Sequence, residues 1–213
     1  MLKRICRSRI ITIAVLDDAE TAVPAAEALL AGGLEVLEIT FRTPAAAESI
    51  RRLRQALPGL IVGAGTLLSV EQLTQALDAG AQFGVAPGLN ETVVARAREC
   101  GLPFVPGVMT PSEVERALGL GCPVLKFFPA EAAGGVAMLK SLAGPYGHTG
   151  VKFAPTGGVS PQNLAEYLAL PIVAAVGGSW LVERKLVAER NWSQITALAA
   201  EAVRLVGELP HRA

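Results

Sequence analysis

The chain has 213 residues, 51% hydrophobic and 18% charged, with 22 glycines and 14 prolines, which describes one globular domain rich in tight turns rather than a disordered polymer. Nineteen basic residues balance nineteen acidic ones and aromatics are held to 5%, so neither a basic field for nucleic acid nor a base-stacking platform is expected. No apolar run reaches the roughly 20 residues of a membrane span.

Taken from its start, the chain opens on the basic segment MLKRICRSR. The apolar stretch that follows is too short before Asp17 and Asp18 for a signal peptide, so the segment reads as a short N-terminal helix. From there an apolar run, a turn and an Ala/Leu-rich amphipathic stretch recur in eight units. The strand candidates are Ile10–Leu16, Leu34–Thr40, Leu60–Thr66, Gln82–Pro87, Pro103–Val108, Val124–Pro129, Gly150–Pro155 and Ile172–Gly177. Helices fill the gaps, for example Glu20–Ala31, Pro44–Leu57, Val70–Ala79 and Glu91–Cys100. Gly32-Gly33, Gly80 and Gly101 stand where helices should end. Thr43-Pro44, Thr110-Pro111 and Ser160-Pro161 place a capping hydroxyl before a proline where helices should begin. Apolar strands alternating with helices on this short period pair in parallel, with both faces covered. Eight units predict a single α/β domain over residues 1–213, a (β/α)₈ TIM barrel. An open doubly wound sheet ranks second, because no G-x-G-x-x-G follows the first strand.

Cys6, Cys100 and Cys122 lack metal-type spacing and read as reduced, small packing residues of a cytoplasmic protein. His148 lies in the Gly-rich stretch PYGHTG and His211 in the terminal HRA tail, which leaves no basis for a His-based triad or metal cluster.

In a barrel of this kind the site lies at the C-terminal ends of the strands. LEVLEITFRT sets Glu38, Thr40 and Arg42 at one parity, making Glu38 an inward carboxylate. It is either half of a salt bridge or a proton shuttle. Arg42, just past the strand, suits a substrate carboxylate or simply water. Glu35 has the other parity and reads as surface. GAGT brings the Thr66 hydroxyl to the rim, while Pro87 in VAPG and Pro106-Gly107 read as turn formers at least as readily as contacts. The central anomaly is Lys126 in VLKFFPAE, sharing a face with Val124 and Phe128. A lysine in an apolar strand costs several kcal/mol if charged and unpaired. Desolvation favours a neutral amine, the nucleophile that forms a Schiff base with a ketone. The competing reading is a structural lysine paired with a buried carboxylate. Lys152, at the start of its strand, ranks well below it. PTGGVSP and VGGSW bring Gly157-Gly158 and Gly177-Gly178 to the two loops where barrels often hold phosphate. Ser160-Pro161 would then open a helix with an electropositive end.

The stretches AEALLAGGLEVLEITFRTPAA, IVGAGTLL, AGAQFGVAPGLN, PFVPGVMTPSEV, LKFFPAE, FAPTGGVSPQNLAEYL and VGGSWLV run in order from about Ile10 to Val182. Together the chain resembles the 2-keto-3-deoxy-6-phosphogluconate / 4-hydroxy-2-oxoglutarate aldolase family. The resemblance implies a class I aldolase, a carbon–carbon lyase. It would cleave 2-dehydro-3-deoxy-6-phosphogluconate to pyruvate and glyceraldehyde 3-phosphate, and 4-hydroxy-2-oxoglutarate to pyruvate and glyoxylate. By the same resemblance Lys126 is the Schiff-base lysine and Glu38 the general acid/base, acting partly through a water. Arg42 and Thr66 hold the pyruvyl carboxylate, with Pro87 at the rim and Phe128 walling the site. Thr156 meets the substrate near its hydroxyls, and Gly157, Gly158, Gly178 and Ser179 form a phosphate pocket. A homotrimer is implied, with no metal and no cofactor beyond the covalent substrate adduct; the partner is a small 2-keto acid, not nucleic acid or membrane. One departure stands out. Many relatives carry a basic residue just after the first strand, whereas IAVLDDAE has Asp17 there. That removes an anion contact near the mouth and bears on substrate choice, not on the imine chemistry. Two other functions fit parts of the pattern. A phosphosugar isomerase on the same barrel would keep the phosphate loops and need no imine. A non-catalytic sugar-phosphate sensor would need an output surface that nothing in the sequence supplies.

Overall fold

The computed structural model describes residues 2–209, so His211 lies outside the described residues. The strands are β1 (Ile10–Ala14), β2 (Val36–Thr40), β3 (Ile61–Gly65), β4 (Gly84–Val85), β5 (Phe104–Val105), β6 (Gly107–Val108), β7 (Val124–Phe127), β8 (Lys152–Pro155) and β9 (Val176–Gly178). The helices are α1 (Leu2–Ser8), α2 (Ala22–Ala31), α3 (Ala46–Ala56), α4 (Val70–Asp78), α5 (Glu91–Glu99), α6 (Pro111–Gly119), α7 (Gly135–Tyr146), α8 (Leu164–Leu168), α9 (Arg184–Ala188) and α10 (Trp192–Gly207). Their ladders are parallel, ordered β5-β4-β3-β2-β1-β9 in one piece and β6-β7-β8 in the other. The result is an α/β fold on a curled parallel sheet. No helix among the described residues is long and apolar enough to cross a membrane.

Each expected apolar run contains a strand, but several bounds differ for physical reasons. The expected strand Pro103–Val108 is two strands, parted at Pro106. Proline donates no ladder hydrogen bond, so the run pairs with β4 before it and with β7 after it. The Pro106 carbonyl still accepts from the Lys126 amide at 2.8 Å. The expected Ile172–Gly177 begins as a single parallel bridge, Phe153↔Val173, and becomes a ladder only at Val176. Gln82–Pro87 contracts to Gly84–Val85.

The helix starts divide likewise. Thr110 forms a complete capping box with Glu113. Thr43 does not cap: its hydroxyl donates to the Leu16 carbonyl, and α3 begins at Ala46 behind Ala45. Ser160-Pro161 opens no helix either, because the Asn163 side chain takes the Ser160 amide at 2.9 Å and α8 starts only at Leu164. Ser160 therefore carries no electropositive helix end. Gly33, not Gly32, takes the left-handed conformation that ends α2. His148 sits on an exposed 3-10 turn rather than an irregular loop. Of the three cysteines, all free, Cys122 is buried and Cys6 partly so. Cys100 is exposed at the end of α5 and is not a packing residue.

Strand parity sorts the core into two layers. Ile11, Val36, Ile61, Phe83, Val85, Val105, Val124, Ala154 and Ala175 form one apolar cluster, joined by Ile5 from α1. Phe83 is fully buried and fills the space that a side chain on Gly63 would need. Burying such a ring contributes about 3 kcal/mol. The second, larger cluster lies between the strands and the helices. Polar inward positions occur above the first cluster, toward the C-terminal strand ends, so apolar packing provides a rigid floor for them.

Candidate active site

Lys126 projects from β7 between small neighbours, Gly107 on one side and Ala154 on the other. Those two residues give the long side chain room without opening it to water; Lys126 is 7% exposed. Its Nζ lies 3.7 Å from Glu38 Oε1 of β2 and 5.5 Å from the centre of the Phe128 ring. Glu38 is 2% exposed, and its Oε1 has no hydrogen-bond partner among the described residues. A structural salt bridge would close to a charge-assisted hydrogen bond at about 2.7–2.9 Å. Here the two groups stay 3.7 Å apart in a buried ion pair, longer than such a bond. The two residues singled out by parity are thus brought together.

Gly65, at the end of β3, makes this possible. A Cβ at that position would overlap the Glu38 carboxylate, with Cδ 2.6 Å away. The motif GAGT credits Thr66, but the glycine before it is equally specific. The legible signal is an inward-parity glycine on the strand beside a buried carboxylate. Gly65→Ala is expected to displace Glu38 and, on the reading of that carboxylate as a proton shuttle, to lower kcat by about 100-fold. A steady-state assay beside a melting curve checks this; unchanged kcat in a folded variant removes the steric argument.

Thr66 is half-buried and holds φ at 58°, a conformation that costs a β-branched residue about 1–3 kcal/mol. That strain fixes the hydroxyl-bearing residue at the rim, directly after Gly65. Thr40, also of inward parity, donates to the Ala14 carbonyl at 3.1 Å and serves the ladder edge. Arg42 is exposed and makes no ion pair among the described residues, so its guanidinium is available. Pro87 is half-buried with its carbonyl packed on Gly107, where a Cβ would come 2.6 Å from the Gly88 nitrogen. Lys152 is exposed at the start of β8 and donates to the Pro171 carbonyl at 2.9 Å, away from Glu38.

On the other side of Lys126 lie the two glycine loops. Thr156 is buried and bridges Gly177, which has no room for a side chain beside it. Gly157 and Gly158 both have positive φ, 95° and 84°. Their carbonyls are tied down, Gly157 O by the Glu131 amide at 3.0 Å and Gly158 O by Asn163 Nδ2 at 3.0 Å. Their amides hydrogen-bond to no described residue. Backbone amides left free in a tight glycine turn can meet an anion. Phe128 closes its side, 3.3 Å from where a Gly157 Cβ would lie. Gly178 packs on the Trp180 ring, and Ser179 is exposed and makes no capping bond from its side chain. Asp17, past β1, pairs with Arg184 of α9 at 3.1 Å on the surface. A separate cleft of about 640 Å³ lies at the opposite strand ends, among Leu2, Arg98, Leu102, Phe104, Cys122 and Pro123, and holds none of these residues.

A family model, "Aldolase: KDPG and KHG aldolase", matches residues 2–198. A 2-dehydro-3-deoxy-phosphogluconate aldolase of Treponema pallidum is 50% identical over 201 residues, covering 94% of this chain and 95% of that protein. Among solved structures, the KDPG aldolase of Legionella pneumophila, with pyruvate captured as a covalent carbinolamine, is similar with a TM-score of 0.88. It is 43% identical over 92% of this chain and 93% of its own. The 2-keto-3-deoxy-6-phosphogluconate aldolase of Zymomonas mobilis, solved with 3-phosphoglycerate, has a TM-score of 0.87. It is 42% identical over 96% of this chain and 95% of its own.

Proposed function

The chain belongs to the KDPG and KHG aldolase family, and from that footing we propose how its residues carry out the cleavage. The protein is a class I aldolase: it cleaves 2-dehydro-3-deoxy-6-phosphogluconate to pyruvate and glyceraldehyde 3-phosphate, and 4-hydroxy-2-oxoglutarate to pyruvate and glyoxylate. The observation that carries the assignment of roles is the buried Lys126–Glu38 pair at 3.7 Å, with the carboxylate oxygen otherwise unpartnered.

Lys126 Nζ passes its proton to Glu38, attacks the C2 carbonyl carbon and gives a carbinolamine. Glu38 assists the loss of its hydroxyl as water, leaving a protonated imine. Glu38 then takes the C4 hydroxyl proton. The C3–C4 bond breaks, its electron pair moves into the imine to form an enamine, and the aldehyde leaves. Protonation of the enamine at C3 and addition of water return pyruvate and free Lys126. Arg42 and Thr66 hold the pyruvyl carboxylate, Pro87 borders it, Phe128 walls the imine and Thr156 meets the substrate hydroxyls. Gly157, Gly158, Gly178 and Ser179 receive the phosphate through backbone amides and a hydroxyl.

The sheet closes as an eight-stranded barrel; the split at Pro106, the bridges Phe153↔Val173 and Thr156↔Gly177, and the shared inner cluster support this. The chemistry is that of the covalent adduct, without metal or other cofactor. A cytoplasmic homotrimer is part of the same reading, supported by membership of the family. Incubation with pyruvate and borohydride is expected to fix one reduced pyruvyl group, mapped by peptide mass to Lys126. An unmodified Lys126 in an active enzyme sinks the assignment, and borohydride insensitivity favours an isomerase.

A further inference from the structure

Glu131 stands beside the proposed phosphate loop, where a carboxylate is unexpected: a like charge there opposes a phosphate dianion. Its stem lies against Gly158, so close that a Cβ on Gly158 would be 2.7 Å from Glu131 Cβ. Its amide holds the Gly157 carbonyl, and the preceding Ala130 amide holds the Thr156 carbonyl at 2.8 Å. The carboxylate itself points elsewhere, accepting the hydrogen bond of the Tyr167 phenol from α8. Tyr167 is fully buried. Burial, and then the bond to Glu131, push its phenol well above the ordinary range, so it remains a donor at any working pH. Gly135 leaves space for the pair, since a Cβ there would sit 3.2 Å from both oxygens.

We propose that Tyr167 and Glu131 are positioning residues for phosphate recognition. The buried phenol captures the carboxylate and draws it off the glycine loop, while the Glu131 stem and amide hold Gly157-Gly158 in the conformation that leaves both amides free. This rests on the reading that the loop receives the phosphate.

The test uses the whole enzyme with two substrates that differ at that end. Tyr167→Phe removes only the donor. It is expected to raise KM for the phosphorylated six-carbon acid about tenfold, the scale of one lost hydrogen bond to a charged group, with kcat held. KM for 4-hydroxy-2-oxoglutarate should not move. Glu131→Ala, which deletes the stem as well as the charge, should also raise KM for the phosphorylated acid. Glu131→Gln keeps an acceptor for the phenol, removes the charge and should keep KM near that of the unchanged enzyme. Equal losses on both substrates, or no loss in Tyr167→Phe, overturn the proposal, because a merely structural role does not distinguish the two. Inorganic phosphate, assayed as a competitor of the phosphorylated acid, separates the premises. Its failure to compete in the unchanged enzyme removes the phosphate pocket and this inference with it. Competition undiminished in Tyr167→Phe removes this inference alone.

Discussion

Lys126→Ala is expected to lower kcat/KM by about 10⁴-fold or more, and Lys126→Arg to do the same. The alanine variant lacks the proposed nucleophile. The arginine variant keeps a cation beside Glu38, but a guanidinium does not give up its proton and cannot form the imine. The two variants separate chemistry from folding. Deleting the cation strands the buried Glu38 carboxylate, and breaking a buried pair costs about 3–5 kcal/mol. A fall in Tm is therefore expected for Lys126→Ala, and a smaller one for Lys126→Arg if the larger head fits between Gly107 and Ala154. Both are assayed by turnover and by pyruvate–borohydride trapping. Activity within tenfold of the unchanged enzyme in either folded variant refutes the role.

Glu38→Gln comes next in size, with kcat expected to fall by about 10²–10⁴-fold, the range for loss of a positioned general acid/base. The amide has the carboxylate's shape, so Gly65 still accommodates it and the site stays packed. Because the proposed nucleophile remains, pyruvate should still be trapped on Lys126, only more slowly. Adding Glu38→Gln to Lys126→Ala should cost little more than Lys126→Ala alone, since residues acting in one step are not additive. Fully multiplicative losses would mean that the two act in separate steps. A kcat within tenfold of the unchanged enzyme would leave Glu38 as a structural carboxylate.

Much of this arrangement could be read from local pattern. Strand alternation is a property of the backbone, so the inward parity of Glu38 and of Lys126 needed nothing beyond the residues on either side. Apolar runs at a short period implied parallel strands with covered faces, and every run contains a strand. Thr110 with Glu113 is a local cap and is found as expected. Ser160 misled because a competing local bond, from the Ser160 amide to the Asn163 side-chain oxygen, holds the turn and delays the helix. Pro106 misled in a milder way: a missing N–H divides the strand between two neighbours, which only the pairing reveals.

Residue type and periodicity were thus enough to specify a parallel α/β chain, an inward lysine, an inward glutamate and two glycine loops, because each is set by short-range geometry. What long-range packing alone decided is how they meet. The 3.7 Å separation of Lys126 and Glu38 depends on Gly65 yielding space from a neighbouring strand. The free amides of Gly157 and Gly158 depend on Glu131 and Asn163 holding the carbonyls. The capture of Glu131 by Tyr167 joins residues from different elements through a contact that no periodicity encodes. Distances across the core come from summed packing, and single-strand patterns carry no record of them.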